Sequence, residues 1–124
     1  MKRFLAVYIG TASARERSGW DSLSETDRQE REQAAVAAWM DWGTTNRDRI
    51  VDTGTPLGKT KRISGHGIED IKNNLAGYVI VQAESHQAAA QLFEKHPHFM
   101  LFPDVSTLRL FAMRLMLLLV RFSG

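Results

Sequence analysis

The sequence predicts an α+β fold in which two helices cover one face of an antiparallel sheet. Three observations carry this expectation. Segments 3–9 ("RFLAVYI") and 77–83 ("GYVIVQA") have the branched and aromatic content of strands. Two segments open on a serine at a helix N-cap position, Ser24 and Ser85. Residues 105–113 ("VSTLRLFAM") alternate as a last strand should.

Taken in order, residues 3–9 form the first strand, and "GTASARERSGWDSL" is a loop broken by Gly10 and Gly19. Ser24 starts the first helix. Its hydroxyl can accept from the third helical amide, Asp27 sits at the matching capping-box position, and Glu25 adds negative charge at the positive helix end. Asp27/Arg31 and Arg28/Glu32 are spaced as pairs on a solvated face. Ala35, Val36, Trp39, Met40 and Trp42 make the expected buried stripe, and Gly43 ends or weakens the helix. Residues 49–54 ("RIVDTG") read as a short second strand entering the turn "GTPLGK". "TKRISGHGIEDIKNN" reads as a loop or small hairpin turning at Gly65–Gly67. Residues 77–83 are nearly continuous in hydrophobicity, which predicts a central strand. The helix after Ser85, "HQAAAQLFEKH", turns Ala89, Leu92 and Phe93 to the sheet. Pro97 stops it, because the ring disfavours helical geometry at His96 and removes an amide. In the last strand Ser106, Leu108, Leu110 and Ala112 face one way, and Val105, Thr107, Arg109 and Phe111 the other. The order β-α-β-(hairpin)-β-α-β is that of a ferredoxin-like split βαβ domain. It spans residues 1–113 and leaves 114–124 as an apolar and basic tail.

Composition bounds the rest. The 124 residues, 44% hydrophobic and 24% charged, fit one globular domain with one core. The absence of cysteine removes disulfides, thiolate metal sites and cysteine nucleophiles. The apolar part of "MKRFLAVYIG" is too short for a signal peptide, so a cytoplasmic location is expected. The 16 Lys+Arg and 14 Asp+Glu balance up to Pro103, since beyond it Arg109, Arg114 and Arg121 oppose only Asp104. That leaves no clustered basic face for phosphates, and no nucleic-acid partner is expected. The apolar run at residues 115–120 is far below the roughly 20 residues of a membrane span, so it reads as a partner surface, a dimer contact included.

"MKRFLAVYIG", "VDTGTPLGKTKRIS" and "LAGYVIVQAESHQAAAQLFEKHPHF" together resemble the YCII-related family of the dimeric α+β barrel superfamily, over roughly residues 1–103. The resemblance implies a ferredoxin-like domain that forms homodimers through its sheets, with a pocket on each. In smaller members a first-helix histidine and an aspartate after the second helix are proposed as a catalytic pair. Here Trp39 falls about where that histidine would, and His96 takes the aspartate position. Such proteins also continue from "HFxxFPG" into an alternating acidic strand, whereas this chain turns basic and apolar after "HFMLFPD".

The candidate chemistry centres on "HPH". Histidines at i and i+2 in extended chain project to one side, so His96 and His98 make an incomplete chelate. A zinc site needs three or four ligands, so no metal or other cofactor is expected; the plain alternative makes His96 a helix end and His98 a rim residue. For acid–base work His96 is paired with Asp52, because both fall at element ends on the pocket side. Lys59 is a contact for a small anionic metabolite, Trp39 a core residue or pocket wall, and His98 a further ligand contact. "TGTPLGKT" lacks P-loop spacing, and no serine has a nucleophile-elbow context. Two functions are therefore expected: a cofactor-independent enzyme or binding protein for a small molecule, or a non-catalytic oligomerising interaction module.

Overall fold

The structure, a computed structural model, describes residues 1–10, 19–101 and 107–114. The tail from residue 115 and positions 105 and 106 of the expected last strand lie outside the described residues. Among the described residues, six strands and two principal helices follow one another as β1 (Lys2–Ile9), a 3-10 turn (Trp20–Ser22), α1 (Glu25–Thr45), β2 (Ile50–Asp52), β3 (Thr60–Ser64), β4 (Gly67–Ile71), β5 (Leu75–Ala83), α2 (His86–Gln91), the short α3 (His98–Leu101) and β6 (Thr107–Ala112). The main sheet has the order β2-β5-β1-β6, and every neighbouring pair is antiparallel. With β3-β4 set apart as a hairpin, this is the ferredoxin-like arrangement, and β5 is central as its hydrophobicity predicts.

Strand alternation decides which face is the core. Phe4, Ala6 and Tyr8 of β1 and Val79, Val81 and Ala83 of β5 are buried, together with Ala89 and Phe93 from the α2 side. Trp42 of α1 and Leu108 and Leu110 of β6 pack against them. Both helices therefore cover the same face. Burying a side chain such as Phe4, at 2% exposure, contributes about 2–3 kcal/mol. The opposite face carries Leu5, Val7, Tyr78 and Ile80, half-buried, and Phe111, exposed.

Both serine caps are formed: Ser24 accepts from the Asp27 N–H and Ser85 from the Ala88 N–H. Gly43 does not end α1, which runs through it to Thr45. The expected buried stripe is corrected in part. Ala35 is buried, but Val36 and Met40 are 59% and 69% exposed, because the sheet-facing side of α1 is narrower than the apolar stripe. Arg28, expected on the polar face, has a buried Nε with no hydrogen-bond partner among the described residues. The second helix ends at Gln91, and turns carry the chain on to His96.

The hairpin turns tightly, with Ser64 opposite Gly67. Its ladder is stabilised by the exposed pairs Lys61–Asp70 and Arg62–Glu69. At its base Gly54 has φ +68, and a Cβ there would stand 1.7 Å from the Tyr78 carbonyl oxygen. Only glycine fits so close a backbone approach.

Candidate functional site

The site is built on the core end of β1. Tyr8 ends the helix-facing row of that strand and is 4% exposed. Its hydroxyl lies 3.0 Å from Nε2 of His96, which is 1% exposed. Pro97 ends the turn that follows α2, and the next amide, the N–H of His98, donates to Nδ1 of His96 at 2.9 Å. A nitrogen that accepts a hydrogen bond carries no proton, so the neutral ring has its proton on Nε2, which donates to the Tyr8 oxygen. Nε2 of His98 in turn donates to the Ile9 carbonyl at 3.3 Å. The neutral His98 ring thereby carries its proton on Nε2.

Aromatic rings wall these groups. Trp39 stands edge-on to His96 with centroids 4.5 Å apart and lies 5.1 Å from Tyr8. Trp42 is also 4.5 Å from His96, and its indole N–H donates to the Leu92 carbonyl, tying α1 to the end of α2. His98 lies 5.0 Å from Tyr8. Trp42 is half-buried and Trp39 is 39% exposed, so Trp39 is the wall nearest solvent. On its outer side runs a groove of about 360 Å³ lined by Glu32, Ala35, Val36, Trp39 and Met40.

Burial sets the electrostatics. His96 is held down to about 4, by desolvation first and then by the neighbouring His98. Its protonation would also leave the His98 N–H without an acceptor. His98 is lowered by burial, which outweighs hydrogen bonds to the backbone of Ile9 and Thr107. Burial pushes the Tyr8 hydroxyl well above its ordinary range. At neutral pH the cluster is an uncharged set of oriented donors and acceptors.

Of the residues singled out in the sequence, His96, His98 and Trp39 come together. Asp52 does not hydrogen-bond to His96. It is exposed, its carboxylate accepts from the Gly54 N–H at 2.8 Å, and both ring nitrogens of His96 have other partners. Lys59 lines a separate groove of about 980 Å³ at the hairpin base, with Leu57, Lys61, Lys72 and Leu75 among its walls. The chelate reading of "HPH" is opposed by the same geometry, since the His96 nitrogens are engaged within the protein. Among the described residues, no group of three His, Cys, Asp or Glu is placed to hold a metal ion, and no helix is long and apolar enough to cross a membrane. Tyr8 is the site residue that sequence reasoning missed. The available signal was a tyrosine in a row otherwise held by Phe4 and Ala6, since a buried tyrosine hydroxyl needs a partner.

No protein-family model and no curated protein matches the chain. Among solved structures the chain is similar to 5-chloro-2-hydroxyhydroquinone dehydrochlorinase from Burkholderia phenoliruptrix, in complex with 2,5-dihydroxybenzoquinone, at 17% identity and a TM-score of 0.44 over 86% of this chain and 90% of that one. The ferredoxin-like assignment rests on the chain's own strand order and on the helices that share one face of the sheet.

Proposed function

We propose that the chain binds a small molecule at the Tyr8–His96–His98 cluster and acts on it without a cofactor by acid–base chemistry. The observation that carries this reading is the 3.0 Å bond between Tyr8 and a buried, neutral His96. In this reading Tyr8 donates a hydrogen bond to a substrate oxygen, and any negative charge that develops on the phenol oxygen is met by the Nε2–H of His96. The high pKa of Tyr8 favours donation over full proton transfer. His98 is the base, through Nδ1. His96 positions Tyr8, and the role first given to Asp52 passes to these neighbours. In this reading the ligand reaches the cluster past Trp39, the wall nearest solvent at 39% exposure.

The YCII-like pattern of strand, glycine turn and helix supports placing the chain near that family. Trp39 and His96, the positions where the resemblance puts a catalytic pair, are in ring contact. The apolar sheet face of Leu5, Val7, Tyr78 and Ile80 supports a homodimer formed sheet to sheet.

A thermal-shift panel of metals, small organic acids and aromatic metabolites, run on wild type beside Tyr8→Phe, tests the reading. A panel member that stabilises wild type saturably and loses that effect in Tyr8→Phe supports it, because a native-state ligand raises stability by mass action. Equal shifts in both proteins, or none, transfer the function to the second reading, a non-catalytic interaction module. That reading is favoured by Val36 and Met40, large apolar side chains exposed side by side on α1.

A further inference from the structure

The His-Pro-His turn fixes a protonation state. His98 N–H points at His96 Nδ1 from 2.9 Å, and the alternative tautomer would aim two protons at each other there. The backbone therefore selects the Nε2–H form. That proton goes to the Tyr8 oxygen, 3.0 Å away, so the Tyr8 hydroxyl cannot donate to His96 and its own proton is left over. Among the described residues the Tyr8 hydroxyl makes no second hydrogen bond. A hydroxyl 4% exposed with an unspent donor is a costly arrangement unless a ligand or water completes it.

The groups around this donor define what can complete it. Trp39, His98 and His96 have ring centroids 5.0–5.1 Å from that of Tyr8, and none of them carries a fixed charge. Arg28 is eleven residues before Trp39 on α1, roughly 16 Å along the helix axis, and Lys59 lines a different groove. A carboxylate or phosphate at Tyr8 would lose its hydration with no described cation to replace it.

We propose that the His-Pro-His turn locks Tyr8 as a hydrogen-bond donor, and that the site takes an uncharged, flat molecule presenting a carbonyl-type oxygen to the Tyr8 hydroxyl. This rests on the ligand-site reading above and puts a neutral acceptor in place of the anionic metabolite expected from the sequence. His98 and Pro97 become positioning residues for Tyr8.

Two measurements test it. Nitrogen-15 NMR of wild type at pH 7 should show His96 with a pyrrole-type Nε2 and a pyridine-type Nδ1; a protonated Nδ1 overturns the lock. Thermal-shift titration should then compare acetophenone, benzoate and benzylammonium, three probes of similar size and different charge. Acetophenone should bind saturably and weaken about tenfold in Tyr8→Phe, the worth of one buried hydrogen bond, with benzoate and benzylammonium weaker in wild type. Tyr8-dependent binding of benzoate tighter than acetophenone overturns the neutral-ligand claim and leaves the pocket standing. Acetophenone binding that ignores Tyr8→Phe, or no binding of acetophenone, also overturns the claim; loss of the pocket itself is read separately from the wider panel.

Discussion

The core end of β1 and the β3-β4 hairpin use the same kinds of residue in opposite ways. Around Tyr8, polar groups are few, buried or half-buried, and held by named hydrogen bonds, so their geometry dictates protonation state. On the hairpin, charged groups are paired in the open, and Ile63 and Ile68 face each other across the ladder at 76% and 69% exposure. The contrast teaches that a hydrogen bond's consequence depends on what replaces it when it is lost. Water does so at once on the hairpin and has little access to Tyr8 and His96, 4% and 1% exposed.

The sharpest way to break this comparison is His96→Ala. It removes the partner of the Tyr8 hydroxyl and the acceptor of the His98 N–H, and it leaves a cavity between Trp39 and Trp42. A loss of about 3–4 kcal/mol is expected, read as a lower urea midpoint at unchanged slope. A loss below about 1 kcal/mol would mean that the site relaxes or hydrates freely, and the claim of a water-excluded cluster would be abandoned.

The pH dependence comes next. His96 has a folded pKa of about 4 against an ordinary 6.5, so the unfolded chain takes up its proton first as pH falls. The stability from this group is therefore complete above pH 6.5 and is lost on the way down to about 4, by about 3 kcal/mol in total. His98, shifted in the same direction, adds to the slope. Unfolding titrations between pH 7 and 4 should show the loss in wild type and a shallower one in His96→Gln. Equal slopes in the two proteins would place His96 in contact with solvent.

How much of this was legible beforehand follows the same division. The strands announced themselves by alternation, the helices by Ser24 and Ser85, and the central position of β5 by its unbroken hydrophobicity. These are local signals, and local hydrogen bonds fulfil them. The site was half legible: "HPH" drew attention to His96, but Asp52 was matched to it by topology alone. The real partner, Tyr8, is 88 residues away in sequence, and its role depends on one backbone amide. Nor does an apolar stripe reveal its own width. Val36 and Met40 belong to the stripe by periodicity, yet the neighbouring strands cover only the side of α1 that holds Ala35 and Trp42.

Gly54→Ala sits between the two regions, at the turn that leads from β2 to the hairpin. The added Cβ would overlap the Tyr78 carbonyl, and φ +68 is itself unfavourable for alanine. A cost of about 2 kcal/mol is expected from the two effects together. Because the turn also holds Asp52 to the Gly54 N–H, Asp52→Asn, which keeps an acceptor oxygen, should cost far less. If Asp52→Asn instead matched Gly54→Ala, or shifted the His96 titration, the carboxylate would act beyond its own turn, and the pairing first read from the sequence would return.

The smallest effect is expected on the hairpin itself. Lys61 and Asp70 meet at 2.8 Å with side chains 67% and 84% exposed, a geometry as short as any in the buried cluster. Distance alone would rank this pair with Tyr8–His96, but exposure ranks it far below. Solvent screens the charges, and two long side chains lose freedom to hold one geometry. A double-mutant cycle of Lys61→Ala and Asp70→Ala should give a coupling within about 0.5 kcal/mol that fades with added salt. A salt-insensitive coupling well above that value would mean that the hairpin is covered in solution. The contact would then have to come from another molecule, and the balance between enzyme and interaction module would move to the module.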